Sequence, residues 1–243
     1  MELTVLGCSG SYGGPDGHPC SGYLVRDGDT TVWIDCGNGT LGRLQQHVKV
    51  EHLTGVVITH AHPDHCVDIY GLHVMLRYAL HRRDVPLYAP PGVERHLGTL
   101  VDGDWGGTFD WHAIDETQPV SIGSLDLQFA RTDHPPPTFA VECTAGDRRL
   151  IYTSDTGPGW SVAAFEPRAD LVLSEATYLN DDKPAPIHLS AKEAGAAARA
   201  ADAQRLILTH VWPRLDPDLV VAEGSGAFGA PVTLATAGLV TTV

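Results

Sequence analysis

The sequence predicts an α/β protein built as a four-layer αββα sandwich, with residues 1–243 forming a single domain. Two halves each run from short β-rich segments into helical ones, the order in which sheets acquire helices over their outer faces. At 243 residues the chain fits one large α/β domain better than two small ones. No fixed-period repeat, low-complexity tract or linker divides it. The 43% of hydrophobic residues suffices for a substantial core, which at this size buries about 70–75% of the unfolded surface.

Taken in order, Met1–Gly7 reads as an opening strand around Thr4–Leu6, and Gly22–Val25 and Thr31–Ile34 follow, joined by a hairpin-type turn at 26–29. Gly7-Cys8-Ser9-Gly10-Ser11 lacks the lysine and spacing of a phosphate loop, so its glycines are expected to allow a tight turn. Asp35-Cys36-Gly37 ends the third strand and a helix is expected through Leu41–His47. Val56–Ile58 is an apolar strand. Pro63-Asp64 then opens a helix expected from about His65 to His81, with Asp64 placed to cap it. Leu87–Ala89 is a strand stopped by Pro90-Pro91-Gly92, and Val93–Leu100 reads as a short helix. Residues 102–107 form a loop in which Trp105 either walls a pocket or covers the core edge. The β pattern resumes with Val120–Ile122, Leu125–Ala130, Phe139–Cys143 and Leu150–Thr153. Leu171–Leu173, a helix near Ala191–Ala201 and the strand Leu206–Thr209 complete the second half, and Pro135-Pro136-Pro137 stiffens the loop carrying His134.

Directly after Val56–Ile58 stands Thr59-His60-Ala61-His62-Pro63-Asp64-His65. Three imidazoles and a carboxylate within six positions exceed what packing requires, and these donors suit zinc and its neighbours. Further candidates follow later strands: His134 after Leu125–Ala130, Asp155 after Leu150–Thr153 and His210 after Leu206–Thr209.

With this His-x-His-x-Asp-His run and these later residues in order, the sequence resembles the metallo-β-lactamase superfamily from about Leu3 to its C-terminal strands. The resemblance implies that His60, His62 and His134 bind one metal, that Asp64, His65 and His210 bind another, and that Asp155 bridges the two. The implied cofactors are two divalent ions, zinc by expectation, with manganese or iron accepted by the same donors. Asp35 resembles a position that holds a histidine ligand in its working tautomer. Cys66, beside the motif, is expected as a small buried residue on the first turn of the following helix.

Two more segments, Ser174-Glu175-Ala176-Thr177-Tyr178 and His188-Leu189-Ser190-Ala191, resemble the tRNase Z-like phosphodiesterase branch. There the histidine contacts the scissile phosphate and the glutamate orients it, which implies His188 as phosphate-binding acid and Glu175 as its partner. Ser190 with Glu193 also makes a capping box, which explains the serine but not the histidine before it. The implied chemistry is in-line attack on phosphorus by a metal-bridging hydroxide, with Asp64 orienting or deprotonating the water and His188 protonating the departing oxygen.

True tRNase Z enzymes insert a tRNA-gripping arm between the ligands that His134 and Asp155 resemble. Here those residues stand 21 positions apart, and strand sequence around the Gly146-Asp147 turn fills the interval. The net charge of −14, from 30 acidic and 16 basic residues, also disfavours a large nucleic acid. The expected substrate is therefore a small phosphodiester, a cyclic nucleotide such as cAMP or cGMP. The alternatives are a tRNase Z-type endoribonuclease lacking the arm, or a glyoxalase II- or lactonase-type hydrolase, which shares the histidine run but not the Glu175 and His188 segments. Five unpatterned cysteines suit a reducing cytoplasm, and neither a signal-like start nor an apolar run of membrane length is seen. A homodimer is implied by resemblance, and His18 in the first loop is a candidate substrate contact.

Overall fold

The computed structural model describes residues 1–15, 17–101, 105–166, 168–184 and 186–243. The expected loop at 102–107 thus lies outside the described residues over 102–104, as does Asp16 beside His18. The first half forms β1 (Glu2–Gly7), β2 (Gly22–Asp27), β3 (Thr30–Ile34), β4 (Gly55–Val57), β5 (Val85–Ala89) and β6 (Phe109–Ala113). The second forms β7 (Val120–Ile122), β8 (Leu125–Arg131), β9 (Phe139–Ala145), β10 (Arg148–Tyr152), β11 (Leu171–Glu175), β12 (Leu206–Thr209) and β13 (Thr233–Leu234). The last strand, β14 (Val240–Thr242), crosses back to pair with β1, giving two seven-stranded mixed sheets ordered β14-β1-β2-β3-β4-β5-β6 and β13-β12-β11-β10-β9-β8-β7. Helices α1 (Thr40–His47), α2 (Pro63–Cys66), α3 (Ile69–Val74) and α4 (Val93–Gly98) accompany the first sheet, and α5 (Ala191–Ala200) and α6 (Pro217–Phe228) the second.

The side-chain period of a strand explains the layering. In β2, Tyr23 and Val25 face the core between the sheets, with Leu127, Val141 and Leu173 opposite, while Leu24 faces the helices with Leu44 and Leu72. A third apolar layer, with Val172, Leu208, Ala194 and Val220, lies between the second sheet and α5 and α6. Four structural layers around three apolar ones make the αββα sandwich of the metallo-β-lactamase fold. Among the described residues, no helix is long and apolar enough to cross a membrane.

Two expectations change. The helix expected over His65–His81 is broken into α2, α3 and a π-helical turn at Met75–Ala79. The loops below capture its backbone: Asp64 O accepts from Ser21 N–H at 3.1 Å, His65 O accepts from Cys36 N–H, and Asp68 N–H donates to Cys36 O. Those groups are then unavailable to an α-helical ladder. Asp64 makes no capping bond at the start of α2, because its carboxylate turns toward His210 instead. Trp105 covers the core: only 4% exposed, it stacks on Tyr70 and meets His73, Phe109 and Trp111 edge-on or tilted.

Strand direction gathers the polar residues at one edge. Strands β10, β11 and β12 are parallel, and β8 runs the same way because it is antiparallel to β9. Their C-terminal ends therefore align, as do those of the parallel β3, β4 and β5 in the facing sheet. Ligands of open α/β sheets collect beyond such ends.

Candidate metal centre

Each candidate ligand leaves a strand at that shared edge. His60 and His62 follow β4, Asp64 and His65 sit on α2, His134 follows β8, Asp155 follows β10, and His210 follows β12. Three non-glycine residues here, Asp35, Ser154 and His210, adopt the left-handed backbone region at φ 57°, 51° and 54°. Such conformations cost energy and gather where a site over-determines the chain. Gly10 lets the first loop close over this edge, since a Cβ there would lie 2.2 Å from His210 O. The tight turn expected at Gly7–Ser11 is thereby accounted for.

The donor atoms converge. His62 Nδ1 lies 3.1 Å from His60 Nε2 and 3.3 Å from His134 Nε2, and Asp155 Oδ2 lies 3.6 and 3.8 Å from His60 and His134. A second group forms around Asp64 Oδ2, which lies 3.2 Å from His210 Nε2 and 3.5 Å from His65 Nε2. The other Asp155 oxygen, Oδ1, lies 3.3 Å from His65 Nε2 and 3.5 Å from His210 Nε2. One carboxylate thus presents one oxygen to each group, in the bridging place expected of it. Each group keeps its ligand atoms within 4.8 Å of one another, close enough to hold a metal ion. His65 Nε2 and Asp155 Oδ1 are buried without a hydrogen-bond partner, which in a protein interior calls for an explanation. A cation between them supplies it, and the imidazole and carboxylate donors fit zinc-like ions.

The outer hydrogen bonds fix how the rings face inward. Asp35 Oδ2 accepts from His65 Nδ1 at 2.8 Å, from Tyr152 OH at 2.9 Å and from Thr59 Oγ1 at 3.0 Å. Thr59 Oγ1, its own proton committed to Asp35, accepts from His60 Nδ1 at 3.1 Å. His134 Nδ1 donates to Ile187 O at 2.9 Å. His210 Nδ1 donates to Thr177 Oγ1 at 2.8 Å, and that hydroxyl donates to Glu175 Oε2 at 2.7 Å. In His60, His65, His134 and His210 the Nδ1 proton is placed outside the cluster, so the Nε2 lone pair points into it. His62 turns Nδ1 inward instead.

His188, before α5, sits beside both groups. Its Nδ1 donates to Glu175 Oε1 at 3.0 Å, and its ring lies 4.9 Å from that of His134 and 5.3 Å from that of His210. Glu175, at the end of β11, is fully buried and anchored by Thr156 N–H and the Thr177 hydroxyl. The pairing expected from the sequence is therefore present, with the His188 Nε2 face left for a ligand. Ser190 caps α5 through the expected capping box with Glu193.

Electrostatics suit cation binding. Burial holds His60 well below the ordinary histidine range, and it lowers His62 and His134 too, keeping these rings neutral. Burial opposes charge on Asp155, but His210 and His65 outweigh it and hold the carboxyl well below its usual range. Burial also opposes charge on His65, yet Asp155, Asp64 and Asp35 raise it well above the ordinary range.

A family model described as a beta-lactamase superfamily domain matches residues 30–211. The chain belongs to the metallo-β-lactamase superfamily. It is 36% identical over 245 residues to the Mycobacterium leprae protein ML1173, covering 96% of this chain and 85% of that one. It is 30% identical over 249 residues to the probable metallo-hydrolase YhfI of Bacillus subtilis, covering 99% of both. The crystal structure of YhfI superposes with a TM-score of 0.89 over 99% of this chain and 98% of that one, at 28% identity. A ribonuclease Z from Haloarcula marismortui is 26% identical over 298 residues, covering 98% and 96% of the two chains. The protein is a metal-dependent hydrolase of this superfamily.

Within this superfamily site, the sequence reading missed Thr59, Tyr152, Ser154 and Thr177. Thr59 and Ser154 each directly precede a candidate ligand, and Ser154 Oγ donates to Thr59 Oγ1 at 2.7 Å. A hydroxyl residue one position before a ligand at a strand end was the available signal. His18 lines a cleft with Cys8, Trp212 and Ala235, whose walls also include Thr209 and Val211 on either side of His210.

Proposed function

We propose that the site hydrolyses a small phosphodiester, a cyclic nucleotide such as cAMP or cGMP, with two divalent ions, zinc by preference, as cofactors. The observation that carries this reading is the His188–Glu175 pair, set against both donor groups with Nδ1 already committed. His188 is a sixth imidazole beyond the five candidate histidine ligands, held by a buried carboxylate.

A bound metal pair makes water nucleophilic near neutral pH and neutralises charge on phosphoryl oxygens. The chain's own residues do the rest. Asp64, on α2 and 9% exposed, would orient the water or take its proton. His188 binds the phosphoryl group through Nε2 and gives its proton to the departing sugar oxygen, while Glu175 fixes the ring and stabilises its charged form.

The small-substrate reading is supported by the interval from His134 to Asp155, which the β9–β10 hairpin fills. The charge of −14 favours it too. The ribonuclease Z relative favours a second reading, tRNA 3′-end cleavage. One experiment separates them. Metal-analysed protein is assayed in parallel on 2′,3′- and 3′,5′-cyclic nucleotides, bis-p-nitrophenyl phosphate and a 3′-extended tRNA precursor. Turnover of a cyclic nucleotide without tRNA trimming is expected. Hydrolysis of the aryl diester with every cyclic nucleotide left intact sinks the nucleotide reading, and clean tRNA trimming supports the second.

A further inference from the structure

Adjoining the cluster is a cleft of about 360 Å³ whose walls include His62, Pro90, Pro91, Val93, Pro136 and Pro137. His62 is both a wall of this cleft and a candidate ligand, so whatever fills it touches the reaction centre. The prolines come from two loops of the metal-bearing edge: Pro90 and Pro91 follow β5, and Pro136 and Pro137 follow His134. In a chain with 30 acidic residues, none of the described residues lining this cleft carries a carboxylate.

The walls are also unusually stiff. Pyrrolidine rings have almost no rotamer freedom to lose, so ordering them against a ligand costs little. Their flat, apolar edges suit a planar ring, and the volume lies within the roughly 300–1,000 Å³ typical of small-molecule sites. His96 stands exposed at the lining, able to meet a polar ring edge. Trp105, which the sequence left as a possible pocket wall, is instead buried in the helix-side core.

We propose that this proline-walled cleft holds the nucleobase of the substrate while its phosphodiester lies on the metal cluster. The assignment rests on the phosphodiesterase reading and gives it a base-recognition site. It excludes plain alkyl and sugar phosphodiesters as preferred substrates.

The test is binding by calorimetry to the metal-loaded protein, using inorganic phosphate, ribose 5-phosphate and AMP. AMP is expected to bind at least tenfold more tightly than ribose 5-phosphate. That ratio should fall below threefold in both Pro91→Asp and Pro137→Asp, whose side chains are exposed and whose folding is checked by melting and metal content. Tyr12→Ala, which removes a ring that meets Trp212 edge-on outside this cleft, should leave the ratio intact. Equal binding of AMP and ribose 5-phosphate overturns the assignment, as does a ratio that survives both proline substitutions or collapses in Tyr12→Ala. Failure of phosphate and both phosphate esters to bind overturns the phosphodiesterase reading itself, and the cleft assignment falls with it.

Discussion

Asp35→Asn isolates the role of the outer hydrogen bonds, because it keeps the size of the side chain and suits its backbone. Asparagine is among the few non-glycine residues at ease in the left-handed region that Asp35 occupies at φ 57°. The fully buried carboxylate accepts from Thr59 N–H at 2.8 Å on one oxygen, and from His65, Tyr152 and the Thr59 hydroxyl on the other. An amide must replace one of these acceptors by a donor. With its nitrogen toward Thr59 N–H, one bond is lost; turned the other way, three donors are opposed. The first orientation wins, and still leaves a buried N–H unpaired at a cost of about 1–3 kcal/mol in stability.

The larger consequence falls on His65. Its Nδ1 proton is then held by a neutral carbonyl rather than an anion, and the Nε2 lone pair aimed into the cluster becomes a poorer donor. Loss of such a partner typically weakens metal affinity about 10–100-fold, or about 1.4–2.8 kcal/mol. The assay is chelator competition that resolves successive metal equivalents. One equivalent should weaken by that factor, while the His60–His62–His134 group, whose Thr59 hydroxyl bond survives, changes less. A lower melting temperature with unchanged metal affinity refutes the tautomer argument, and so does equal weakening of both equivalents.

His188→Ala should lower kcat by about 10²–10⁴-fold, the usual contribution of a general acid, with metal content retained; near-normal kcat removes His188 from the chemistry. In metal-free protein, burial pushes His188 down but the Glu175 carboxylate pushes it up and prevails, to about 9. The protonated ring therefore stabilises the fold fully below its ordinary pKa of 6.5, and that contribution fades as pH rises through about 9. Ring-proton NMR should report this high midpoint in the wild type and a fall of a unit or more in Glu175→Gln; an unmoved midpoint refutes the pairing. Trp105→Ala should cost about 3–5 kcal/mol in denaturant unfolding without raising KM, whereas a raised KM with stability intact would put the indole in a substrate pocket.

What the sequence disclosed, and what it hid, follows from how far each feature depends on distant partners. The candidate ligands were legible because each stands at the C-terminal end of an apolar run, and parallel strands bring such ends together whatever the loops do. The outer ring of Thr59, Tyr152, Ser154 and Thr177 was not, since hydroxyl residues acquire that role only from the register between sheets: Tyr152 reaches Asp35 across 117 positions. Strands β6 and β14 escaped for a related reason. Both are edge strands with mostly partly or fully exposed residues, and β14 finds its register only on β1 at the far end of the chain, with Val240 opposite Thr4. Helix α6 is the instructive omission. Its Asp216 cap, Pro217 in the first turn and Gly229 stop were all present, but Gly224 and Gly226 inside argue against a helix. Packing reverses that argument. Gly195 of α5 lies so close that a Cβ there would come within 2.5 Å of Gly224 O, and a Cβ on Gly224 would come within 2.7 Å of the Leu208 side chain. Gly224, which weakens α6 as an isolated helix, lets it lie against β12, which leads into His210, as Gly195 lets it lie against α5, which starts just after His188. A residue judged by its own propensity thus reads as a breaker, and judged by its neighbours as the condition for closing the second half of the site.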